Sequence, residues 1–377
     1  MEVYLDNAST TKPCSEVLDA MQTANEYYGN PSSKHNLGLE AKTLIDNARK
    51  HIAEHINAKP HEVIFTSSGT EANNLSIIGY AEANRHLGGH IITSRIEHIS
   101  VLNCLRYLYN LGYNMTYIDV DSDGIIDLKQ LEVAIRRDTI LISIMTANNE
   151  IGTLQPIQEI GEIAKYYNIP FHTDAVAAIG HCEIDVEKTN IAMMPISGHK
   201  IYGPKGVGAL YARDDIELSP LIYGAGQEYG LRSGTENISG IVGLGKAVEL
   251  LSNPEKETDR KKMLTLKNML IDEIKNKIPD VKFNGSEKNS LPNIINVSFP
   301  GIDSAKLLSA LDERGIYASG GSVCSANCMK PFYVVCALGV DAHLARGTVR
   351  FSLSDYNTEN YICYLLEILP DIVENLK

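Results

Sequence analysis

Apolar positions in the first part of the chain recur at helical spacing: Val17, Leu18 and Met21, then Leu44, Ile45, Ala48 and Ile52. Further on, the pattern changes to short apolar runs at Glu62–Thr66, His90–Thr93, Leu141–Met145 and Ile169–Thr173. Another run, Gly208–Tyr211, follows a Gly/Pro-rich turn. Runs of this length predict buried strands, and strands alternating with helices predict an α/β fold around a mainly parallel sheet. Ligands of such sheets sit beyond the carboxyl ends of the strands. At 377 residues the chain exceeds what one core usually organises, which predicts two domains sharing a cleft. The polar stretch SNPEKETDRKK at Ser252–Lys262 predicts the boundary. A large domain then covers 14–252. Residues 253–377, with a strand at Ile294–Ser298 and a last helix from about Thr358, form a smaller α+β domain that residues 1–13 rejoin.

Composition narrows the class. Hydrophobic residues at 44% and charged residues at 21% are those of an ordinary globular protein. No apolar run approaches the roughly 20 residues of a membrane helix, and MEVYLDNASTTKP lacks the pattern of a secretory leader, so the expectation is a cytoplasmic protein with no membrane role. The net charge is −13 with basic residues scattered, which argues against direct nucleic-acid binding. Seven cysteines without regular spacing argue against a disulfide framework, and the absence of a CxxC pair argues against zinc, so no metal site is expected.

Three segments carry candidate chemistry. In EVIFTSSGTEANNLSII a strand runs into Ser67-Ser68-Gly69-Thr70-Glu71 and a helix begins there. Ser68 with Glu71 fits a capping box; alternatively Gly69, the exposed N–H groups and the Thr70 hydroxyl form a phosphate cup. In IPFHTDAVAAIG, Asp174 ends an apolar strand, where a carboxylate is costly unless paired. It reads either as a helix N-cap or as the partner of a cofactor's pyridinium nitrogen. In MMPISGHKIYGPKGVGALY, Lys200 follows an apolar strand and precedes a loop too rich in Gly and Pro for a regular helix. A lysine is usually a solvated charge, but this context suits a desolvated amine able to form a Schiff base with an aldehyde.

Six of the seven cysteines, all but Cys14, divide into two groups. Cys104, Cys182, Cys336 and Cys363 read as buried small hydrophobes. Cys324 and Cys328 lie in a segment dense in small residues, from Ala318 to Cys328, which predicts a mobile loop able to carry a thiol to a bound substrate.

A phosphate cup, an acid and then a lysine is the order used by the large aminotransferase-like fold of pyridoxal-phosphate enzymes, fold type I. Further segments, YLDNASTTKP, GNPSSKHNLG, ANNEIGTLQPI, SGHKIYGPKG, LRSGTEN and SGGSVCSANCMKP, resemble the class V aminotransferase branch, and within it the NifS/IscS-type cysteine desulfurases, from about residue 3 to residue 355. The resemblance implies pyridoxal 5'-phosphate as cofactor, with Lys200 as its Schiff-base lysine and later proton carrier, and Asp174 on the ring nitrogen. It implies His98 stacked on the ring and handling protons, and Asn149 beside the ring's phenolic oxygen. Gly69, Thr70, Ser197 and His199 would hold the phosphate, with Thr235 contributed by the second subunit of a homodimer. Arg350 would take the substrate carboxylate as a bidentate pair, although a lone Arg in a strand is more often a salt-bridge partner. Counted back from Pro331, Cys324 matches the catalytic cysteine; Cys328 has no required counterpart and reads as a secondary sulfur carrier. The implied reaction takes sulfur from L-cysteine, leaves L-alanine and a persulfide on Cys324, and passes the sulfur to an iron–sulfur scaffold or a tRNA-thiolation enzyme. Selenocysteine lyase, a sulfide-releasing cysteine lyase and a degenerate paralogue acting in assembly are the alternatives. Two positions depart from the family pattern: Ala177 stands where an amide is usual, and Gly-Gly-Gly-Gln-Glu is replaced by Gly224-Ala225-Gly226-Gln227-Glu228.

Overall fold

The computed structural model describes residues 1–320 and 332–377. Its strands in chain order are β1 (Val3–Tyr4), β2 (Val63–Thr66), β3 (His90–Ser94), β4 (Asn114–Ile118), β5 (Thr139–Ser143), β6 (Phe171–His172), β7 (Met193–Ser197), β8 (Gly208–Ala212), β9 (Lys282–Phe283), β10 (Ile294–Ser298), β11 (Ile316–Tyr317) and β12 (Thr348–Ser352). Seven of them form one sheet in the order β2-β8-β7-β6-β5-β3-β4. From β7 to β4 all neighbours are parallel, while β8 runs antiparallel to both β7 and β2. Two successive antiparallel pairings leave β2 pointing the same way as β7. The carboxyl ends of β2, β3, β5, β6 and β7 therefore meet along one edge.

Both faces of this sheet are covered, which explains why its strands read as apolar runs rather than alternating ones. Ile64, Ile91, Leu141, Met193 and Leu210 enter one core, and their neighbours Phe65, Ile92, Ile142, Met194 and Tyr211 enter the other. Much of the second core comes from helices. Helix Asn36–His55 presents Ala41, Ile45, Ala48 and Ile52 inward at helical spacing, and His35 caps its start by accepting the Gly38 N–H at 3.2 Å. It lies against helix Ile238–Leu251, where a side chain at Gly245 would fall 2.5 Å from Ala48 Cβ. Glycine sets that close approach.

A separate core sits on the antiparallel sheet β12-β10-β9 beneath helices Glu255–Lys277 and Glu359–Leu376. Val3 and Leu5 belong to it, and β1 pairs in parallel with β11.

The elements differ from the sequence reading at identifiable places. The polar stretch at Ser252–Lys262 is mostly helix, because its charges pair along one face: Glu257 with Arg260 and Lys261. The strand expected at Leu141–Met145 begins two residues earlier, where the buried Thr139 hydroxyl caps the Arg136 N–H at 2.8 Å and contacts His90 Nδ1 at 2.8 Å. Cys336 and Cys363 are exposed rather than buried, since their helices turn Val334, Val335, Ile362, Leu365 and Leu366 inward instead.

Candidate active site

A cavity of about 280 Å³ opens at the shared edge of strand ends, lined among others by Ser68, Gly69, Thr70, His98, Asn149, Asp174, Ser197, His199 and Lys200. The chain brings these residues together from five strand ends. After β2, helix Gly69–Asn74 begins, and its run continues through a π-helical segment, Leu75–Gly79. A Cβ on Gly69 would lie 2.8 Å from Val176 Cγ2 and 3.4 Å from Ser197 Cβ, so a side chain there would force Val176 to shift. The Ser68 hydroxyl accepts the Glu71 N–H at 3.1 Å, which is half of the expected capping box. The other half is absent because the Glu71 carboxylate turns to the Ser67 N–H at 2.8 Å and to Arg232 Nε at 3.0 Å.

Asp174 follows β6 and is 5% exposed. No helix begins at it; its Oδ1 accepts the Val176 N–H at 3.0 Å within a turn, which removes the N-cap alternative. Its Oδ2 accepts from Asn73 Nδ2 at 2.8 Å. Sequence reading missed Asn73, whose only signal was its place one turn into the helix after Gly69.

Lys200 closes the short 3-10 turn Gly198–Lys200 after β7. Its ammonium donates to the carbonyls of Ala8 and, at 2.8 Å, Ser9. No carboxylate touches it. Burial, with the Arg350 charge adding to it, lowers its pKa to about 8. Burial also lowers the neighbouring His199 to about 4, assisted by Lys200 and Lys205.

His98 caps helix Ile99–Asn110. Its Nδ1 accepts the Ser100 N–H at 3.2 Å and contacts Ser100 Oγ at 2.7 Å. Burial lowers its pKa. The adjacent Glu97 is fully buried, and burial raises its carboxyl to about 8 against the opposing pull of the Ser94 hydroxyl and the Met145 N–H.

Two expected participants are placed differently from the rest. Arg350 is buried on β12, but its guanidinium is already engaged: Nη1 donates to the Asn149 carbonyl at 2.9 Å, and Nη2 to Asp6 at 2.8 Å and Ser9 Oγ at 2.6 Å. Both Nη2 protons are taken, so a two-point grip on a ligand through the Nη pair is not ready in this conformation. Thr235 is exposed and is not among the residues lining the cavity of its own chain. Cys324 and Cys328 lie outside the described residues.

A buried lysine, a carboxylate and a glycine-led helix start at the carboxyl edge of a mainly parallel sheet are the furniture of a pyridoxal-phosphate enzyme of the large aminotransferase-like fold. The aminotransferase class-V family model matches residues 3–365, and the chain belongs to that family. It is 47% identical to a cysteine desulfurase IscS of Dictyoglomus turgidum, over 100% of this chain and 95% of the relative. It is 48% identical to a cysteine desulfurase IscS of Methanosarcina thermophila, over 100% and 93%. Among solved structures, a NifS-like protein superposes with a TM-score of 0.94 at 39% identity, covering 100% of both chains. A structure described as SspA in complex with cysteine superposes at 0.83 and 39% identity, over 94% of this chain and 100% of the other.

The residues present fit pyridoxal phosphate, the cofactor of this family. Among the described residues, Ser197 Oγ is buried without a hydrogen-bond partner beside Gly69, as a phosphate ligand awaiting an acceptor would be. Asp174 faces the same cavity as an acceptor for a ring N–H, and Lys200 supplies the amine. Among the described residues, no group of three or more His, Cys, Asp or Glu side chains could hold a metal ion.

Proposed function

We propose that the protein is a cysteine desulfurase that moves the sulfur of L-cysteine onto Cys324 and releases L-alanine. The observation that carries this reading is the convergence of Lys200, Asp174, His98 and the Gly69 helix start on one cavity in a chain whose full-length relatives are named cysteine desulfurases.

Pyridoxal phosphate, when bound, supplies an electron sink for charge developing at the substrate's α-carbon. Gly69, Thr70, Ser197 and His199 hold its phosphate, Asn149 its phenolic side and Asp174 the proton of its ring nitrogen. Lys200 anchors it and then, as a free amine of depressed pKa, takes the α-proton of L-cysteine; an amine titrating near 8 is a far better base at neutral pH than an ordinary lysine. Arg350 meets the substrate carboxylate after giving up one of its present partners, Asp6 or Ser9. The Cys324 thiolate accepts the substrate sulfur and becomes a persulfide, from which an acceptor protein of iron–sulfur assembly or tRNA thiolation withdraws it.

The working unit is a homodimer in which Thr235 contributes to the partner's phosphate site, a reading supported by its exposure away from its own cavity. Residues 14–252 form the cofactor domain, and 1–13 with 253–377 the small domain that carries the Cys324 segment. Free thiols at Cys14, Cys104, Cys182 and Cys363 fit a reducing, cytoplasmic setting. The test is product analysis on the holoenzyme with L-cysteine, with and without a thiol reductant. Alanine in both, with sulfide released only when reductant is present, supports the reading. Equal sulfide without reductant makes the protein a sulfide-releasing lyase instead.

A further inference from the structure

The side chains of Asn73 and Ser100 have no part in the roles assigned above, yet they join two groups that do. Asn73 is 1% exposed, and its Nδ2 donates twice: to Asp174 Oδ2 at 2.8 Å and to Ser100 Oγ at 2.9 Å. The amide cannot be turned over, because its oxygen would then face the carboxylate oxygen of Asp174, acceptor against acceptor. Ser100 Oγ therefore accepts from Asn73, and the hydroxyl proton is left to donate. Among the described residues, the other partner of that oxygen is His98 Nδ1, at 2.7 Å. The Ser100 backbone N–H points at the same ring nitrogen. Two donors aimed at Nδ1 require a bare lone pair there, so the ring proton sits on Nε2.

We propose that Asn73 and Ser100 are positioning residues that hold His98 as a neutral, Nε2-protonated imidazole while aiming the Asp174 carboxylate. In this state His98 offers a hydrogen-bond donor to a ligand in the cavity it lines and does not present a base there. One amide thus serves two groups of the site, the Asp174 carboxylate directly and the His98 ring through Ser100. The charged groups acting on His98 are Asp174, which favours its protonation, and Lys200, which opposes it. Ser100→Ala leaves both groups and their hydrogen bonds in place, whereas Asn73→Leu also releases Asp174 Oδ2.

The test uses the full-length protein with ¹⁵N-labelled histidine, the His98 signals being assigned by their absence in His98→Gln. In the unaltered apoprotein, Nε2 is expected to carry the proton and Nδ1 none. A proton on Nδ1 overturns the proposal. Asn73→Leu frees the Ser100 hydroxyl to turn and accept a hydrogen bond from Nδ1–H of the protonated ring, so the titration midpoint of His98 should rise by about one pH unit. The same variant should hold pyridoxal phosphate about tenfold more weakly, the equivalent of about 1.4 kcal/mol for a lost hydrogen bond to a charged group. Ser100→Ala should raise the His98 midpoint and leave cofactor retention unchanged, with Ser100→Thr restoring the midpoint. Midpoints unmoved in both Asn73→Leu and Ser100→Ala overturn the relay, and Ser100→Ala decides alone if the leucine variant does not fold. The retention arm rests on the cofactor reading proposed above. The imidazole arm is read without cofactor, so the failure of either is distinguishable.

Discussion

Lys200 provides the sharpest quantitative expectation. Its amine is buried against two carbonyls, with Arg350 near and no carboxylate in contact, and its pKa is lowered from 10.5 to about 8. At pH 7 a group titrating at 8 is about 9% neutral, whereas one titrating at 10.5 is only about 0.03% neutral, a difference of roughly 300-fold in reactive amine. Capture of pyridoxal phosphate by the apoprotein needs that neutral amine. The loading rate, followed by absorbance after rapid mixing, should climb about tenfold per pH unit at low pH and level off near pH 8. Arg350→Gln removes a positive charge that opposes protonation of Lys200, so the plateau should move to higher pH. The cofactor's own titrations are common to both proteins and cancel in that comparison. Asp174→Asn removes a charge acting in the opposite direction, so the plateau should move lower. A rate still rising at pH 9.5 in the unaltered protein, or a plateau that moves down in Arg350→Gln, would refute the assignment of the depressed amine to its burial and to Arg350.

Two further outcomes follow from other parts of the molecule. Arg49 and Glu228 form a buried two-point pair at 2.8 Å, with Glu228 also accepting the Phe65 N–H at 2.7 Å, so Arg49→Met should cost about 3–5 kcal/mol by leaving a carboxylate buried and unpaired. Chemical denaturation checks it, with Arg49→Met/Glu228→Gln expected to recover most of the loss; a single-variant cost below about 1 kcal/mol contradicts the pair's role. At Ala177, which lines the cavity at the position where the family resemblance implies an amide, Ala177→Gln adds a donor worth about 0.5–1.5 kcal/mol. The pH midpoint of the bound cofactor's visible band should then fall by about half to one unit, and an unchanged or raised midpoint means another group already fills that role.

Much of the fold was legible because burial on both faces makes the central strands apolar throughout. β10 was expected at the bounds it has, and β2, β3 and β8 within a residue at either end. β4 was missed because it lies at the sheet edge, where Asn114 is exposed and Thr116 only partly buried, so no apolar run marks it. The polar start of β5 was lost for a related reason: Thr139 is buried through hydrogen bonds that sequence does not display. In the site, Gly69, Asp174, Ser197, His199 and Lys200 all line one cavity. Gly69, Asp174 and Lys200 were legible as strand-end residues, and Ser197 and His199 only through the family resemblance. Asn73 and Ser100 were not, because an amide and a hydroxyl inside helices have no pattern until the folded chain sets them between Asp174 and His98. The Asp6 and Ser9 contacts of Arg350 were hidden by more than 340 residues of separation.

The measurement that bears most directly on the central claim is the position of the transferred sulfur. Holoenzyme should be mixed with L-cysteine carrying labelled sulfur, quenched within one turnover, and digested for mass spectrometry under non-reducing conditions. The account predicts one labelled sulfur on Cys324 and one alanine released, with Cys324→Ser retaining its cofactor but forming neither the persulfide nor alanine. Label appearing first on Cys328, or alanine formed at the unaltered rate by Cys324→Ser, would contradict it.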